Sequence, residues 1–320
     1  MKLSSLYGNI KSKTWEALKR PLRRLDDVRY LKLKYWILMG KPLNLDSPSG
    51  FNEKIQWLKL NNRKPIYTTL VDKYEVKEWV AGKIGGSHVI PTLGVWDSFD
   101  EIDFDNLPEQ FVLKCTHDSG HIAICDDRST FDRQADRRKF EESLARNFFY
   151  TAREWPYLNV KPRILAEVYL PTWQPDGAAS GSDLKALERA TRYGLTDYKF
   201  YCFHGEPKFL SVSEGLQDHA TAMRVFLNLD WTPTGFSGSD YLPFTEIPAR
   251  PAHLENMIEI ARQLSEGIPF VRVDLYEHIG RVLFSELTFS PSGGYTPFVP
   301  KSADKEIGDM LDLSRVAVTK

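Results

Sequence analysis

Phe270-Val271-Arg272-Val273-Asp274-Leu275-Tyr276, a turn at Gly280, and Val282-Leu283-Phe284-Ser285-Glu286-Leu287-Thr288-Phe289 form the most informative stretch of this 320-residue chain. Their β-branched and aromatic content reads as two strands joined in a hairpin. Acidic residues nevertheless sit inside these apolar runs, and burying a carboxylate costs several kcal/mol unless it is paired or bound to a cation. The turn brings Asp274 and Glu286 near one another. Two such carboxylates, with no His or Cys at ligand spacing beside them, suit Mg2+, or Mn2+ in its place, most readily an ion that holds a nucleotide phosphate. Arg272, two residues before Asp274, points to the same strand face and is placed to stabilise charge at a transferring phosphoryl group. A buried Arg–Asp–Glu ion network without a ligand satisfies the same spacing, so both readings stay open at this level.

Working outward, Gln110–Cys115 and residues 121–125 read as a second hairpin around the loop Thr116-His117-Asp118-Ser119-Gly120. Lys114 at the end of the first strand, with the amides of a small-residue loop after it, has the logic of a phosphate grip. Cys115, His117, His121 and Cys125 bracket the same loop, but C-x-H-x3-H-x3-C matches no common structural zinc spacing. Core cysteines and loop histidines account for the pattern more simply. A third hairpin is expected from Tyr198–Phe203 and Lys208–Val212 around the turn His204-Gly205-Glu206, and a strand from Arg163 to Leu170. Helices are expected over residues 14–38 with a break near Pro21, from Asn52 or Ser49 as cap, from Asp72 through Val80, over 132–149, and over 251–266. Pro171–Asp183 reads as a flexible insertion, followed by a short helical stretch to Arg192.

Composition bounds the class. The chain is 42% apolar and 12% aromatic, enough for a large core, with Gly and Pro near ordinary usage and no low-complexity block. Its apolar runs fall short of a membrane span, its start lacks the apolar core of a signal peptide, and three cysteines without CxxC spacing fit a reducing compartment, so a cytoplasmic protein is expected. The formal net charge of −1 hides an asymmetry, since residues 1–41 carry a local +8 and the remainder −9. Aromatics in the basic head fall at core-like spacing, so no nucleic acid is expected; a membrane surface or a polyanionic substrate suits it better, with a plainly solvated helix as the alternative. No G-x-S-x-G, P-loop or G-x-G-x-x-G occurs.

Taken together, Phe51-Asn52-Glu53-Lys54-Ile55-Gln56-Trp57, Asp72-Lys73-Tyr74-Glu75-Val76, Phe111–Cys115, Leu165–Leu170, Asp197–Phe203 and the Asp274/Glu286 hairpin resemble the ATP-grasp superfamily, and within it the TupA-like branch, named for a teichuronopeptide biosynthesis protein. The resemblance implies an α+β fold in which two α+β lobes clasp ATP behind a helical N-terminal region. The expected units are a basic helical region 1–71, an ATP-grasp N-terminal lobe with the phosphate loop 72–166, and a C-terminal lobe with the metal site 167–320. By the same resemblance Lys77 and Lys114 grip the α- and β-phosphates under a loop containing Ser119 and Gly120. Glu167 and the backbone around Leu170 read adenine, Asp197 takes the ribose hydroxyls, and Lys199 reaches phosphate. Asp274 and Glu286 hold Mg2+, Thr288 stands where many members have a ligating Asn, and Arg272 sits by an acyl-phosphate. Ser285 replaces a Gly common in the branch just before the glutamate.

The implied activity is ATP-dependent carboxylate–amine ligation, attaching an amino acid or amine to a uronic-acid-containing surface polysaccharide precursor. That precursor would be anionic and lipid-linked, which gives the basic head a peripheral role at the inner face of the membrane. An ATP-grasp-fold kinase acting on a sugar or protein hydroxyl is the alternative. A glycosyltransferase ranks third, its Asp-x-Asp signature met only by Asp103-Phe104-Asp105 in an expected loop.

Overall fold

The computed structural model describes residues 22–119, 122–172, 195–216 and 220–319. The first part of the expected basic helix, Gly120 and His121 of the loop, nearly all of the 171–183 insertion and the helical stretch to Arg192 lie outside the described residues. In chain order the elements are α1 (Asp27–Met39), α2 (Phe51–Asn61), α3 (Ile66–Val71), α4 (Glu75–Ile84), β1 (Thr92–Trp96), β2 (Phe111–Cys115), β3 (Ile122–Cys125), α5 (Arg133–Leu144), α6 (Phe149–Ala152) and β4 (Ile164–Val168). They continue with β5 (Asp197–Phe203), β6 (Glu206–Glu214), β7 (Met223–Asn228), β8 (Ser237–Gly238), α7 (Leu254–Ser265), β9 (Phe270–His278), β10 (Arg281–Thr288), β11 (Phe298–Val299) and α8 (Ala303–Asp309).

Two antiparallel sheets carry the structure, a four-stranded one ordered β1-β4-β2-β3 and a five-stranded one ordered β10-β9-β5-β6-β7. The larger sheet is fixed by strict two-residue alternation, since successive side chains of a strand point to opposite faces. Its apolar face presents Tyr198, Phe200, Cys202, Val271, Val273 and Leu275 to Met257, Ala261 and Leu264 of α7, and buries Val76 and Val80 of α4 in the same core. The other face is divided along its length. Tyr201, Phe203, Phe209 and Phe270 cover one end with Phe51 of α2 and Ile307 of α8, while the intervening Asp197, Lys199, Arg272, Asp274 and Glu286 occupy the other. The smaller sheet has its own core, with Phe111, Leu113, Ile164 and Ala166 packed on Phe140 of α5. Ile90, Leu170 and Leu283 form the small apolar joint between the sheets.

All three expected hairpins form, and Asp72 begins its helix as expected, its carboxylate accepting the amides of Tyr74 and Glu75 at 2.8 and 3.2 Å. Neither Asn52 nor Ser49 caps α2. Gly50 occupies that position, and Glu53 turns back to accept the amides of Ser49 and Gly50, so the acidic residue inside the first turn does the capping. Asn52 instead holds Asp304 and the Thr296 carbonyl. The charged helix expected over 132–149 stops at Leu144, and α6 follows as a separate turn. Strand β7 was hidden by its mixed Met-Arg-Val-Phe-Leu-Asn texture. Among the described residues no three His, Cys, Asp or Glu side chains group as metal ligands, and His117 is engaged through Nε2 with the Ser143 carbonyl at 3.0 Å.

Candidate active site

Cross-strand pairing places the charged residues in two adjacent rows of the larger sheet. Lys199 of β5 pairs with Asp274 of β9, which pairs with Glu286 of β10; in the next row Tyr201 pairs with Arg272 and Arg272 with Thr288. A β-bulge at Ser285 shifts the register between Phe284 and Glu286, so Glu286 comes opposite Asp274.

Asp274 is wholly buried. Its oxygens receive Arg272 Nε at 2.6 Å and Nη2 at 2.5 Å, and Lys199 Nζ at 3.0 Å. Burial pushes this carboxyl up while Arg272 and Lys199 oppose it. Arg272 Nη2 also reaches Glu286 Oε1 at 2.9 Å and Thr288 Oγ1 at 3.0 Å, and the Thr288 hydroxyl lies 3.1 Å from the same Glu286 oxygen. Burial raises Glu286 as well, but Arg272, Lys199 and Lys73 outweigh it and hold its carboxyl down at about 2. Lys199 is bound on its other side by Asp197 at 2.7 Å, and these two carboxylates overcome burial to keep the ammonium charged.

Between this floor and the smaller sheet lies a cleft of about 530 Å³. Its charged end is made by Lys73, Lys114, Glu167, Asp197, Lys199 and Glu286, and its apolar end includes Ile90, Val112, Ile122, Ile124, Leu170 and Leu216. On β3, Ile122 and Ile124 are 52% and 38% exposed, an apolar wall facing open space. Such a gradient from apolar to charged is what a purine and its phosphates require. Ser119 also lines the cleft, and Gly120 lies outside the described residues.

Glu167 is placed differently from the adenine-reading role implied for it. Its two oxygens are taken by Lys77 and Lys114, each at 2.5 Å, and these lysines outweigh burial to hold the carboxyl at about 2. Lys77 stands behind it, donating also to the Ile90 carbonyl at 2.7 Å, and is not among the cleft-lining residues. Burial lowers the Lys77 ammonium, with Glu167 opposing. The lysine that faces the cleft from this segment is Lys73, which the sequence reading passed over. It donates to the Asp118 carbonyl, and its own amide to Thr116 O at 3.0 Å, so it is tied to the loop after β2. Its position directly after the capping Asp72 was the available signal, because a residue just outside the first turn is free of the helix face. Arg272, Asp274 and Thr288 lie beneath Glu286 rather than on the cleft surface.

The family model for TupA-like ATPgrasp matches residues 53–312. The chain belongs to the TupA-like ATP-grasp family. No curated protein matches the sequence. Solved structures similar to this ATP-grasp protein include the D-alanine–D-alanine ligase from Bacillus anthracis, at 15% identity over 82% of this chain and 69% of that one with a TM-score of 0.37. The ATP-grasp ligase PsnB, solved with a phosphomimetic variant of its minimal precursor, Mg and ADP, is similar at 10% identity over 92% and 71%, TM-score 0.42. Superpositions this loose assign no residue. With its family established, the fold is α+β ATP-grasp. Asp274, Glu286 and the Thr288 hydroxyl offer only oxygen donors, the chemistry a hard divalent cation takes; of the three only Glu286 lines the cleft, while Asp274 behind it is held by Arg272 and Lys199.

Proposed function

We propose that this ATP-grasp protein forms an amide from a carboxylate and an amine through an acyl-phosphate. The observation that carries the reading is that Lys199 and Glu286, backed by Asp274 and Arg272, share a cleft with Lys73 and Lys114 that has an apolar end. In this reading the carboxylate oxygen attacks the γ-phosphorus and displaces ADP; the amine nitrogen then attacks the acyl carbon, phosphate leaves, and the amine loses a proton. Lys73, Lys114 and Lys199 neutralise the phosphates, and Arg272 holds the transferred group, so positioning and charge supply most of the catalysis. Asp274 and Glu286 would hold Mg2+, with Mn2+ able to replace it, and the ion would screen phosphate charge. Ile122, Ile124 and the chain at Leu170 are proposed to receive adenine and Asp197 the ribose.

For the acyl substrate we propose a uronic-acid-containing surface polysaccharide precursor, anionic and lipid-linked, and for the nucleophile an amino acid or other amine. The TupA-like branch and the +8 charge of residues 1–41 support this choice, together with action at the inner face of the membrane. Among the described residues no helix is long and apolar enough to cross a membrane. The test is incubation with ATP, Mg2+, glucuronate and a panel of amines, with ADP release and product mass as readouts. The expected product is the sum of acid and amine less one water, absent with Glu286→Ala. A product that instead gains phosphate on a hydroxyl makes the protein a kinase, and ADP release undiminished by Glu286→Ala removes the assigned site.

A further inference from the structure

Helix α1 is divided between a buried and an outward side. Tyr30, Leu31 and Tyr35 are fully buried, in one cluster with Leu43 and with Tyr295 on the chain that leaves β10. The Tyr30 hydroxyl donates to the carbonyls of Tyr150 and Thr151 at 3.0 Å, Lys34 Nζ donates to that of Thr151 at 2.7 Å, and Arg63 pairs with Asp27 at 2.7 Å. These contacts fasten the helix to the body along one side. At about 100° per residue the opposite side is centred on Arg29, Lys32 and Trp36, and all three are exposed.

Among the described residues Trp36 is the most exposed large apolar side chain, at 59%, and Val28 flanks the same stripe at 40%. A lone exposed apolar residue needs no explanation, but this one stands in a basic surface. Arg23 and Arg24 lead into the helix and Lys41 follows it, all exposed. The nearby acids are engaged: Asp27 is taken by Arg63 and also by Arg153 at 3.3 Å, and Asp26 lies 3.3 Å from Arg29, whose side chain stays 80% exposed. Residues 1–21 continue the bias in sequence, with Lys2, Lys11, Lys13, Lys19 and Arg20 against Glu16. Basic side chains around an indole suit an anionic bilayer. Its headgroups take the cations while the amphipathic ring enters the boundary with the acyl chains. A soluble polyanion satisfies the cations but offers the indole no acyl layer.

We propose that the outward side of α1 docks this protein on an anionic lipid surface, with Trp36 as the inserted side chain and Arg29 and Lys32 as headgroup contacts. The proposal deepens the reading of action at the inner face of the membrane by naming the surface that makes the contact. Because α1 is fixed to the body through Tyr30, Lys34 and Asp27, contact there orients the whole protein on the lipid.

The experiment measures flotation of the full chain with vesicles of phosphatidylcholine, with or without about a third phosphatidylglycerol, at about 0.1 M and about 0.5 M salt. Binding is expected only to the anionic vesicles, and weaker at the higher salt. Each basic residue near such a surface contributes about fivefold in affinity, so Arg29→Gln with Lys32→Gln is expected to weaken binding about thirtyfold and Trp36→Ala about tenfold. The emission of Trp36, taken as the difference between wild type and Trp36→Phe, shifts to shorter wavelength on binding; contact through residues 1–21 alone leaves it unmoved. Equal protection of all variants by Mg2+ with the non-hydrolysable ATP analogue AMPPNP shows that they are folded. No binding to anionic vesicles, binding undiminished in the variants, or binding without the Trp36 shift overturns the proposal. So does binding to soluble polygalacturonate in place of vesicles. No substrate is present, so vesicle binding and the amide-forming assay fail independently of one another.

Discussion

Glu167 illustrates how one buried side chain here pairs with two opposite charges at once. Held at about 2 by Lys114 and Lys77 against the pull of burial, it is depressed from an ordinary 4.5. A group whose folded value is depressed contributes stability that is complete above its unfolded value and is lost as pH falls through the folded one. Glu286 follows the same course. Urea midpoints are therefore expected to hold above about pH 5 and to fall between there and pH 2, with a shallower fall in Glu167→Gln. At neutral pH that variant leaves two lysines facing each other and is expected to lose about 3 kcal/mol of stability. Arg272 bridges Asp274, Glu286 and Thr288 through a planar fork that an ammonium cannot reproduce. Arg272→Lys is expected to lower kcat of ADP release about a hundredfold with a smaller change in the KM for ATP, as steady-state kinetics would show.

At the level of elements, the hairpin of β9 and β10 is legible because β9 alternates strictly and a carboxylate stands within the apolar run of each strand. The row they form with Lys199 depends on β5 lying next to β9, a long-range pairing that no local pattern encodes. Lys73 and Lys77 show the same limit on a smaller scale. They lie four residues apart, and the capping geometry of Asp72 decides that the first faces the cleft while the second falls behind Glu167. After β10 the chain runs through Gly293 and Gly294 at positive φ, 64° and 72°. A Cβ at Gly294 would meet Gln56 Nε2 at 2.5 Å and Ile55 Cγ2 at 2.7 Å. Gly294→Ala is expected to cost about 2 kcal/mol in chemical denaturation, through backbone strain and through displacement of the side chain that also bonds Lys59. By contrast Leu264→Ala, in the α7 face against the larger sheet, is expected to cost about 3 kcal/mol by opening a cavity there.

Across the whole molecule, the joint between the two sheets has, among the described residues, three buried apolar side chains, Ile90, Leu170 and Leu283, with the partly buried Val168, Leu195 and Tyr276 packed against them. A ligand lying between the sheets then contributes a large share of the cohesion between them. AMPPNP with Mg2+ at about a hundred times its Kd is expected to stabilise the chain by about 2.7 kcal/mol, read as a concentration-dependent rise in Tm. The charge asymmetry of the sequence, basic in the first 41 residues and acidic after them, has a structural counterpart around the cleft in Glu167, Asp197, Asp274 and Glu286. There the carboxylates are engaged by lysines and arginine around the cleft.

That pairing has a kinetic consequence. Among the described residues lining the cleft, Lys73, Lys114 and Lys199 are matched by Glu167, Asp197 and Glu286. The described lining therefore adds no net formal charge to the mouth, and it is expected not to steer a triphosphate approaching through solvent. Its bimolecular association rate should change little between low and physiological ionic strength, unlike that of a site built from unbalanced lysines.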